Sequence, residues 1–232
     1  MTIILPTIEH SWDLSPEDAI CLQKKLAKNV VCKNDFESIK FIAGVDVAYH
    51  KNSDQLVAAI VILDAITLQI VETKTARSRS TFPYISGLFS FRELPPLLEA
   101  FATLETVPDL VICDGQGIAH PRRFGLASHL GVVLNIPSIG CAKTLMTGSV
   151  KSLKQTRGSI ESLTQDGEII GAALRTQDNI KPVYVSIGHR IDLPSACEWI
   201  VKLSPKYRLP ETTRAADQVV RALIKADPID SQ

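Results

Sequence analysis

The sequence lacks an excess of charge of either sign, because its 25 basic and 25 acidic residues leave a formal net charge of zero. The net charge of the protein therefore does not attract it to a polyanion, and binding to nucleic acid would require local clusters of basic residues. No apolar stretch approaches the roughly 20 residues that span a bilayer, so we expect no membrane partner. The N-terminal residues also lack the basic start and apolar run of a signal peptide, which predicts a cytoplasmic protein.

Cysteine is scarce and has no spacing that indicates a metal site or a disulfide framework. The five cysteines are an odd number, contain no Cys-x-x-Cys pair and lie at positions 21, 32, 113, 141 and 197. Reduced thiols in a cytosolic protein fit this usage better than disulfides or zinc ligands. We expect one α/β domain covering residues 1–232, with a monomer as the default state.

Two apolar segments each carry an aspartate near the end. Phe41–Tyr49 (FIAGVDVAY) contains Asp46, and Leu110–Asp114 (LVICD) ends in Asp114. Runs that are apolar on both faces are typical of central strands, and an ionised aspartate beside such a strand needs a partner. If the two strands are neighbours, both carboxylates lie at one edge of the sheet, where oxygen ligands suit Mg²⁺.

The order of elements predicts a fold class. Three strands joined by short turns, at 41–49, 56–63 and 67–75, indicate an antiparallel meander, and a helix–strand–helix–strand run follows it. This order is that of a ribonuclease H-like fold, with a mixed five-stranded central sheet flanked by helices. We expect irregular chain at 77–86 and a polar loop at 151–157, the latter before two further strands near 168–175 and 182–187.

Three acids are candidates for a nuclease centre, in which a metal ion activates water and stabilises charge at phosphorus. They are Asp46, Asp114 and Glu93, which lies in a helix predicted from about residue 87 to about residue 104. Spacing alone leaves alternatives open. Asp46 could cap a strand end, Glu93 could pair with Arg92 or with solvent, and Asp114 could begin an ordinary Asp-Gly turn.

Six motifs make a more specific case. They are GVDVAY (44–49), FPYISGLFSFRE (82–93), DLVICDGQGIAHPRRFGLASHLG (109–131), GCAKTL (140–145), SIGHRIDL (186–193) and RLPETTRAAD (208–217). With them the sequence resembles the endonuclease V family of deoxyinosine-directed repair nucleases, from about residue 16 to residue 226. The resemblance implies Mg²⁺, with Mn²⁺ as a substitute, and inosine-containing DNA as the partner, with RNA as an alternative. It also implies hydrolysis of the second phosphodiester bond 3′ to the lesion, leaving 3′-hydroxyl and 5′-phosphate ends.

The resemblance also implies residue roles. Asp46, Glu93 and Asp114 match the acidic metal positions, and Lys143 matches a lysine near the scissile phosphate. Tyr84 matches the aromatic wedge that holds the damaged strand open. The base pocket corresponds to Gly87, Phe89, Gly115 and Leu126.

Other positions leave alternatives open. Asp217 stands where relatives carry an acid or a histidine, so it could contact metal or pair with Arg214 and Arg221 on its own helix. Ser86 replaces the second proline of the wedge motif, which predicts a looser loop. Candidate phosphate contacts are His120, Arg122 and His189, although lone basic residues are more often merely solvated.

Rival interpretations remain at this level. Another nuclease of the same fold, such as a junction resolvase or a ribonuclease acting on inosine in RNA, would use the same acids. A non-catalytic lesion-binding module is a second rival, although three acids and Lys143 argue against a degraded site. A small-molecule enzyme with a phosphate loop at residues 115–117 is disfavoured, because G-x-G-x-x-G spacing is absent.

Overall fold

The structure is a computed structural model that describes residues 4–50 and 53–226, so the first three residues of the N-terminal segment lie outside it. Its strands form one mixed sheet in the order β3-β2-β1-β4-β5-β9-β8-β7-β6. The strands are β1 Phe41–Tyr49, β2 Gln55–Asp64, β3 Ile70–Arg79, β4 Leu110–Cys113, β5 Ser138–Ala142, β6 Ser149–Val150, β7 Ile160–Gln165, β8 Glu168–Leu174 and β9 Val183–His189.

Helices cover the sheet. They are α1 Pro16–Leu26, α2 Ser90–Phe101, α3 Leu126–Leu134, α4 Leu193–Lys202 and α5 Glu211–Ala226, and a 3-10 turn at Ala27–Asn29 follows α1. The start of α1 is capped by Ser15, whose side chain accepts from the Asp18 N–H, with Pro16 at the first helical position. Among the residues described, no helix combines the length and apolar character needed to cross a bilayer.

The predicted fold class is confirmed, and the sheet is wider than predicted. Strands β1 to β5 form a contiguous block, in which β1, β2 and β3 are the antiparallel meander and β4 and β5 run parallel to β1. Beyond β5 the same sheet continues through β9, β8, β7 and β6. The five-stranded expectation is therefore corrected to nine strands within the part of the chain that the structure describes. Residues 77–79 extend β3, which corrects the irregular chain expected from residue 77. The polar loop expected at 151–157 contains no strand, but it lies between β6 and β7, two strands that were not predicted.

The register of the parallel strands positions the predicted acids. Val45 of β1 pairs with Cys113 of β4, so the next residue on each strand is an aspartate. Cys113 in turn pairs with Gly140 of β5, and Lys143 follows the end of that strand. Because parallel strands end at the same edge of a sheet, these three side chains belong to one region.

Two apolar layers hold the helices against the sheet. On one face, Leu94 and Leu97 of α2 and Leu130 of α3 share a buried cluster with sheet residues that include Val45. On the other, α4 packs through its buried Ile200. Val220 of α5 packs on β2. The helix that carries Glu93 is thereby fixed relative to the strand that carries Asp46.

Gly44 sets how closely α5 approaches β1. A Cβ at this position would lie 2.2 Å from the backbone carbon and oxygen of Thr212 in α5, and backbone cannot move aside as a flexible side chain can. Gly44→Ala should therefore lower the free energy of unfolding by about 3 kcal/mol, as expected for overpacking against main chain. Urea denaturation measures this loss.

Gly167→Asn is the matched control, because nothing lies within 4 Å of that glycine and asparagine tolerates its positive φ of 83°. The control should change the free energy of unfolding by less than about 1 kcal/mol. Equal losses in the two variants would contradict the packing role of Gly44.

Candidate active site

Three carboxylates are grouped beside the end of β4, where Asp114 follows the strand and Asp46 lies on the neighbouring strand β1. Burial, followed by the negative charges of Asp114 and Asp217, raises the pKa of Asp46 to about 7. Burial also raises the pKa of Glu93 to about 7, and the charges of Asp46 and Asp114 add to the rise. Since like charges raise carboxyl pKa values only at short range, the structure brings together the acids of β1, α2 and β4.

Glu93 is not a freely solvated helical glutamate. It is partly buried, and its Oε1 accepts a 3.0 Å hydrogen bond from the hydroxyl of Tyr49 at the end of β1. Arg92 stacks on the Tyr49 ring, with its guanidinium carbon 5.1 Å from the ring centroid. Tyr49 thus links the helical acid to the strand of Asp46, a contact that the sequence pattern did not indicate.

Lys143 is the cation of the site. Its ammonium forms an ion pair with Asp114 Oδ2, and its side chain remains partly exposed. Burial lowers the pKa of Lys143, but the contact with Asp114 and the charges of Asp46 and Asp217 outweigh it, so the net shift is upward. The lysine therefore stays charged at the edge of the acidic cluster.

Asp217 pairs with an arginine of its own helix and also lies close enough to Asp46 to influence it. Its carboxylate accepts a 2.8 Å bond from Arg221 Nε, one helical turn later. It also contributes to the raised pKa of Asp46. Arg214, the other proposed partner, instead pairs with Glu211.

A cavity of about 500 Å³ opens beside the acids. Its walls include all four positions expected to form a base pocket, namely Gly87, Phe89, Gly115 and Leu126. The same cavity is lined by Glu93, Asp114 and Lys143. A bound purine-sized group and the acidic cluster would therefore be immediate neighbours.

Tyr84 stands at the surface near this cavity. Its side chain is 74% exposed, which is unusual for a large aromatic residue, and its ring centroid lies 4.9 Å from that of Phe89 in the cavity wall. Phe82 is only 4% exposed and stacks on Phe91 with 5.4 Å between centroids. The loop is thus anchored by Phe82 and presents Tyr84 to solvent.

Two of the candidate phosphate contacts are directed into the protein. His120 is buried, and its Nε2 lies 3.0 Å from the carbonyl oxygen of Gly87. Arg122 donates to the same oxygen at 2.8 Å and to Gln23. Burial and the charge of Arg122 lower the pKa of His120 to about 4, so the ring is neutral near pH 7. Both side chains hold the cavity wall at Gly87.

His189 lies elsewhere. It is buried, its Nδ1 accepts from the Val31 N–H, and its strand position pairs with Ser138, the first residue of β5. The acids follow the opposite ends of the parallel strands, so the structure does not bring His189 to them.

Several cavity residues were missed by sequence reasoning. Ser90 and Gln116 line the cavity, as do Thr144, Leu145 and Met146 of the loop after Lys143. Gln116 and Ser90 both lie within family motifs, at 109–131 and 82–93, but neither was given a role. The proximity of Gln116 to Asp114 was the available signal for that residue.

The donor set suits a hard divalent cation, although no complete cage is formed. Within residues 4–50 and 53–226, no three His, Cys, Asp or Glu side chains are grouped closely enough to hold a metal ion. The carboxylates are instead engaged with Lys143 and Tyr49. Burial, and after it neighbouring negative charge, raises the pKa values of Asp46 and Glu93, so their ionised forms are unfavourable here and a cation would stabilise them.

Comparisons with known proteins agree with this geometry. The family model for endonuclease V matches residues 24–218. An endonuclease V from Nostoc sp. is 49% identical over 90% of this chain and 96% of the relative. The crystal structure of endonuclease V from Streptomyces avermitilis is 45% identical, covers 97% of this chain and 98% of its own, and superposes with a TM-score of 0.89.

A more distant structure carries a ligand. Endonuclease V from Ciona intestinalis, in complex with a 24mer DNA containing an inosine followed by a ribo-adenosine, is 26% identical with a TM-score of 0.79. It covers 90% of this chain and 97% of its own.

The raised carboxyl pKa values predict a pH dependence of stability in the absence of metal. Asp46 and Glu93 titrate near 7 in the folded protein and near 4 when unfolded, so their protonated forms favour folding. This stabilisation is full below about pH 4 and is lost as the pH rises through 7. In EDTA, the free energy of unfolding should therefore fall between about pH 5 and pH 8.

Asp46→Asn should raise the free energy of unfolding by roughly 2 kcal/mol at about pH 8 and much less at about pH 5. Urea denaturation at both pH values measures the difference. An equal effect at the two pH values would show that the charge of Asp46 does not oppose folding.

Proposed function

The chain belongs to the endonuclease V family, and on that premise we propose that it is a Mg²⁺-dependent endonuclease acting on deoxyinosine in DNA. The proposed reaction hydrolyses the second phosphodiester bond 3′ to the lesion and leaves 3′-hydroxyl and 5′-phosphate ends. The observation that carries the proposal is the shared wall of the 500 Å³ cavity, which joins a purine-sized space to Glu93, Asp114 and Lys143. The inosine-containing DNA bound by the Ciona relative supports the choice of substrate.

Asp46 and Asp114 would hold the cation, and Glu93 would help to hold it or orient water. When bound, Mg²⁺ supplies activation of water and stabilisation of charge at phosphorus, and Mn²⁺ supplies the same chemistry. Tyr49 orients the Glu93 carboxylate through its hydroxyl. Asp217 adds negative charge close to Asp46, and Arg221 limits its freedom.

Lys143 is proposed to serve the scissile phosphate. In the structure its ammonium is paired with Asp114. With Asp114 holding a cation, the Lys143 ammonium would be available to a phosphate oxygen. A positive charge placed there stabilises the negative charge that develops in the transition state.

Base recognition is proposed to depend on main-chain groups of the cavity wall at Gly87, Phe89, Gly115 and Leu126. Hypoxanthine carries a carbonyl oxygen, O6, where adenine carries an amino group. A backbone N–H aimed at O6 accepts hypoxanthine and meets another donor in adenine, which leaves both groups unpaired. His120 and Arg122 contribute by fixing the Gly87 carbonyl, rather than by binding phosphate.

A ribonuclease acting on inosine in RNA is the principal alternative within the same fold. The two substrates differ at the sugar, where RNA carries a 2′-hydroxyl. Matched strands that differ only in this hydroxyl separate the two functions.

The proposed function predicts that a duplex with inosine at one position is cleaved and that the same duplex with adenine there is not. Cleavage should occur in Mg²⁺ and not in EDTA, and the cut should map to the second bond 3′ to the lesion. Asp46→Asn should reduce cleavage by about a thousandfold or more, since several kcal/mol of metal-dependent stabilisation are lost. Binding to inosine DNA should persist. Gel-resolved cleavage and fluorescence anisotropy measure the two effects.

Glu99→Gln is the control, because Glu99 is an exposed acid on the same helix as Glu93. This variant should cleave as the wild-type protein does. Full Mg²⁺-dependent cleavage by Asp46→Asn would refute the metal role of Asp46.

Tyr84 supplies a second prediction from the same proposal. If its ring fills the gap left by an extruded base, Tyr84→Ala should lower kcat/KM on an inosine duplex by about tenfold or more. The loss should be smaller on a single strand, where no stack has to be held open. Tyr84→Phe keeps the ring and should retain activity. Equal losses on duplex and single strand would exclude the wedge role.

A further inference from the structure

Two polar side chains of the cavity have no role in the account above. Ser90 is 2% exposed and Gln116 is 8% exposed, and both line the cavity that the acids and the base-pocket residues share. A buried polar group usually has hydrogen-bond partners in the protein or in ordered water, so an incomplete set in a cavity wall leaves a position for a partner carried by an occupant.

Gln116 has such an incomplete set. Its Nε2 donates a 3.1 Å hydrogen bond to the carbonyl oxygen of Thr144, which also lines the cavity. Its Oε1 is buried and has no hydrogen-bond partner among the described residues. The bond to Thr144 fixes which end of the amide is the donor, so the unpartnered atom is an acceptor. An occupant that offers an N–H would satisfy it.

Ser90 has the opposite arrangement, because its only proton is already committed. Its Oγ lies 2.9 Å from Nδ1 of His129, and Nε2 of His129 lies 2.9 Å from Nε2 of His10. Nδ1 of His10 lies 2.8 Å from the carbonyl oxygen of Ser11. Burial lowers the pKa of both histidines, so each ring is neutral and carries one N–H.

The carbonyl of Ser11 decides the direction of the whole chain of hydrogen bonds. A carbonyl oxygen only accepts, so the proton of His10 is on Nδ1 and its Nε2 is an acceptor. His129 therefore donates from Nε2 and accepts at Nδ1. Ser90 must donate to that Nδ1, which leaves only its lone pairs for any further partner.

We propose that Gln116 Oε1 accepts a hydrogen bond from N1–H of the extruded hypoxanthine, and that His129 and His10 prevent Ser90 from donating to N1 of adenine. The proposal rests on the proposed function, which supplies the base. Deamination of adenine changes N1 from an acceptor to a donor, in addition to replacing the amino group with O6. A hydrogen-bond acceptor in the cavity wall therefore binds the deaminated base more tightly than adenine.

The hydrogen bond from Ser90 to His129 matters because a serine hydroxyl without it can act either as a donor or as an acceptor. A free hydroxyl rotates to donate or accept as its partner requires. Beside N1 it would donate to adenine and accept from hypoxanthine, and discrimination at that atom would be lost. His129 and His10 act here as positioning residues, since they reach the base only through Ser90.

The first experiment compares two duplexes, one with deoxyinosine and one with the unsubstituted purine deoxynucleoside, whose N1 is an acceptor. Gln116→Met should lower kcat/KM for deoxyinosine by about tenfold, the equivalent of one hydrogen bond, and leave the purine duplex unchanged. Gln177→Met is the control, because that amide bonds the Ser204 and Tyr207 carbonyls away from the cavity. An equal loss on both duplexes would overturn the role of Gln116.

The second experiment concerns His10. His10→Phe keeps an aromatic ring against Trp12 but removes the acceptor for His129, so the proton of His129 should move from Nε2 to Nδ1. Imidazole ¹⁵N spectra measure this tautomer directly. The freed Ser90 hydroxyl should then raise kcat/KM for the purine duplex about tenfold, with deoxyinosine little changed. His10→Gln, whose amide oxygen can still accept, should retain the wild-type tautomer and ratio.

The outcomes separate the inference from the proposed function. Fluorescence anisotropy in EDTA measures the affinity for the same two duplexes, and the ratio of these affinities should change in the same direction as the ratio of kcat/KM. It therefore tests the roles of Gln116 and Ser90 even if the protein does not cleave DNA. A wild-type protein that binds and cuts neither duplex contradicts the proposed function. If the wild-type protein prefers deoxyinosine, and Gln116→Met and His10→Phe leave the ratio of kcat/KM for the two duplexes unchanged, this result contradicts only the proposed roles of Gln116 and Ser90. A His129 proton on Nδ1 in the wild-type protein would do the same.

Discussion

The parallel pairing of β1 with β4 is the constraint on which the site depends. It aligns Val45 with Cys113, so each strand places an aspartate at the next position, beside its neighbour. Apolar packing on both faces fixes the strands, and the carboxylates cannot separate to reduce their repulsion. Burial, and after it the repulsion between these carboxylates, raises the pKa values of Asp46 and Glu93, and the ion pair of Lys143 with Asp114 offsets part of the negative charge. The fold thus holds a concentration of charge that the folded chain alone does not neutralise.

The central part of this arrangement was predictable because it depends on local pattern. Runs such as 41–49 and 110–113 are apolar on both faces, and the order of elements then limits which strands can be neighbours. The outer strands were not predictable in the same way. In β7 only Leu163 is buried, so the polar sequence of this strand is typical of a loop. The polar residues at the end of β3 belong to a strand at the edge of the sheet. Pairing with a neighbouring strand, rather than burial of a face, forms these elements.

The polar contacts of the site were predictable only where a motif named the residue. Asp46 lies on β1, Asp114 and Lys143 follow β4 and β5, and the proximity of the three residues follows from the strand order. By contrast, Ser90 meets His129 across 39 positions, and His129 meets His10 across 119. No periodicity connects residues so far apart, since their proximity depends on how α2, α3 and the N-terminal segment pack together. The link between Tyr49 and Glu93, across 44 positions, belongs to the same class.

The cavity wall combines rigidity with a defined pattern of donors and acceptors. Gly87 adopts a positive φ of 80°, and its carbonyl oxygen is contacted by Gln23, His120 and Arg122 at 2.8–3.0 Å. A side chain at this position would meet the Arg122 guanidinium at 2.7 Å, so only glycine permits this convergence without displacement. A wall whose polar groups are held in this way cannot rotate them to suit a different base. Two bases of nearly equal shape can be distinguished only if the polar groups of the wall keep a fixed orientation. If these groups could rotate, they would form hydrogen bonds with either base, and the incorrect base would lose no hydrogen bond.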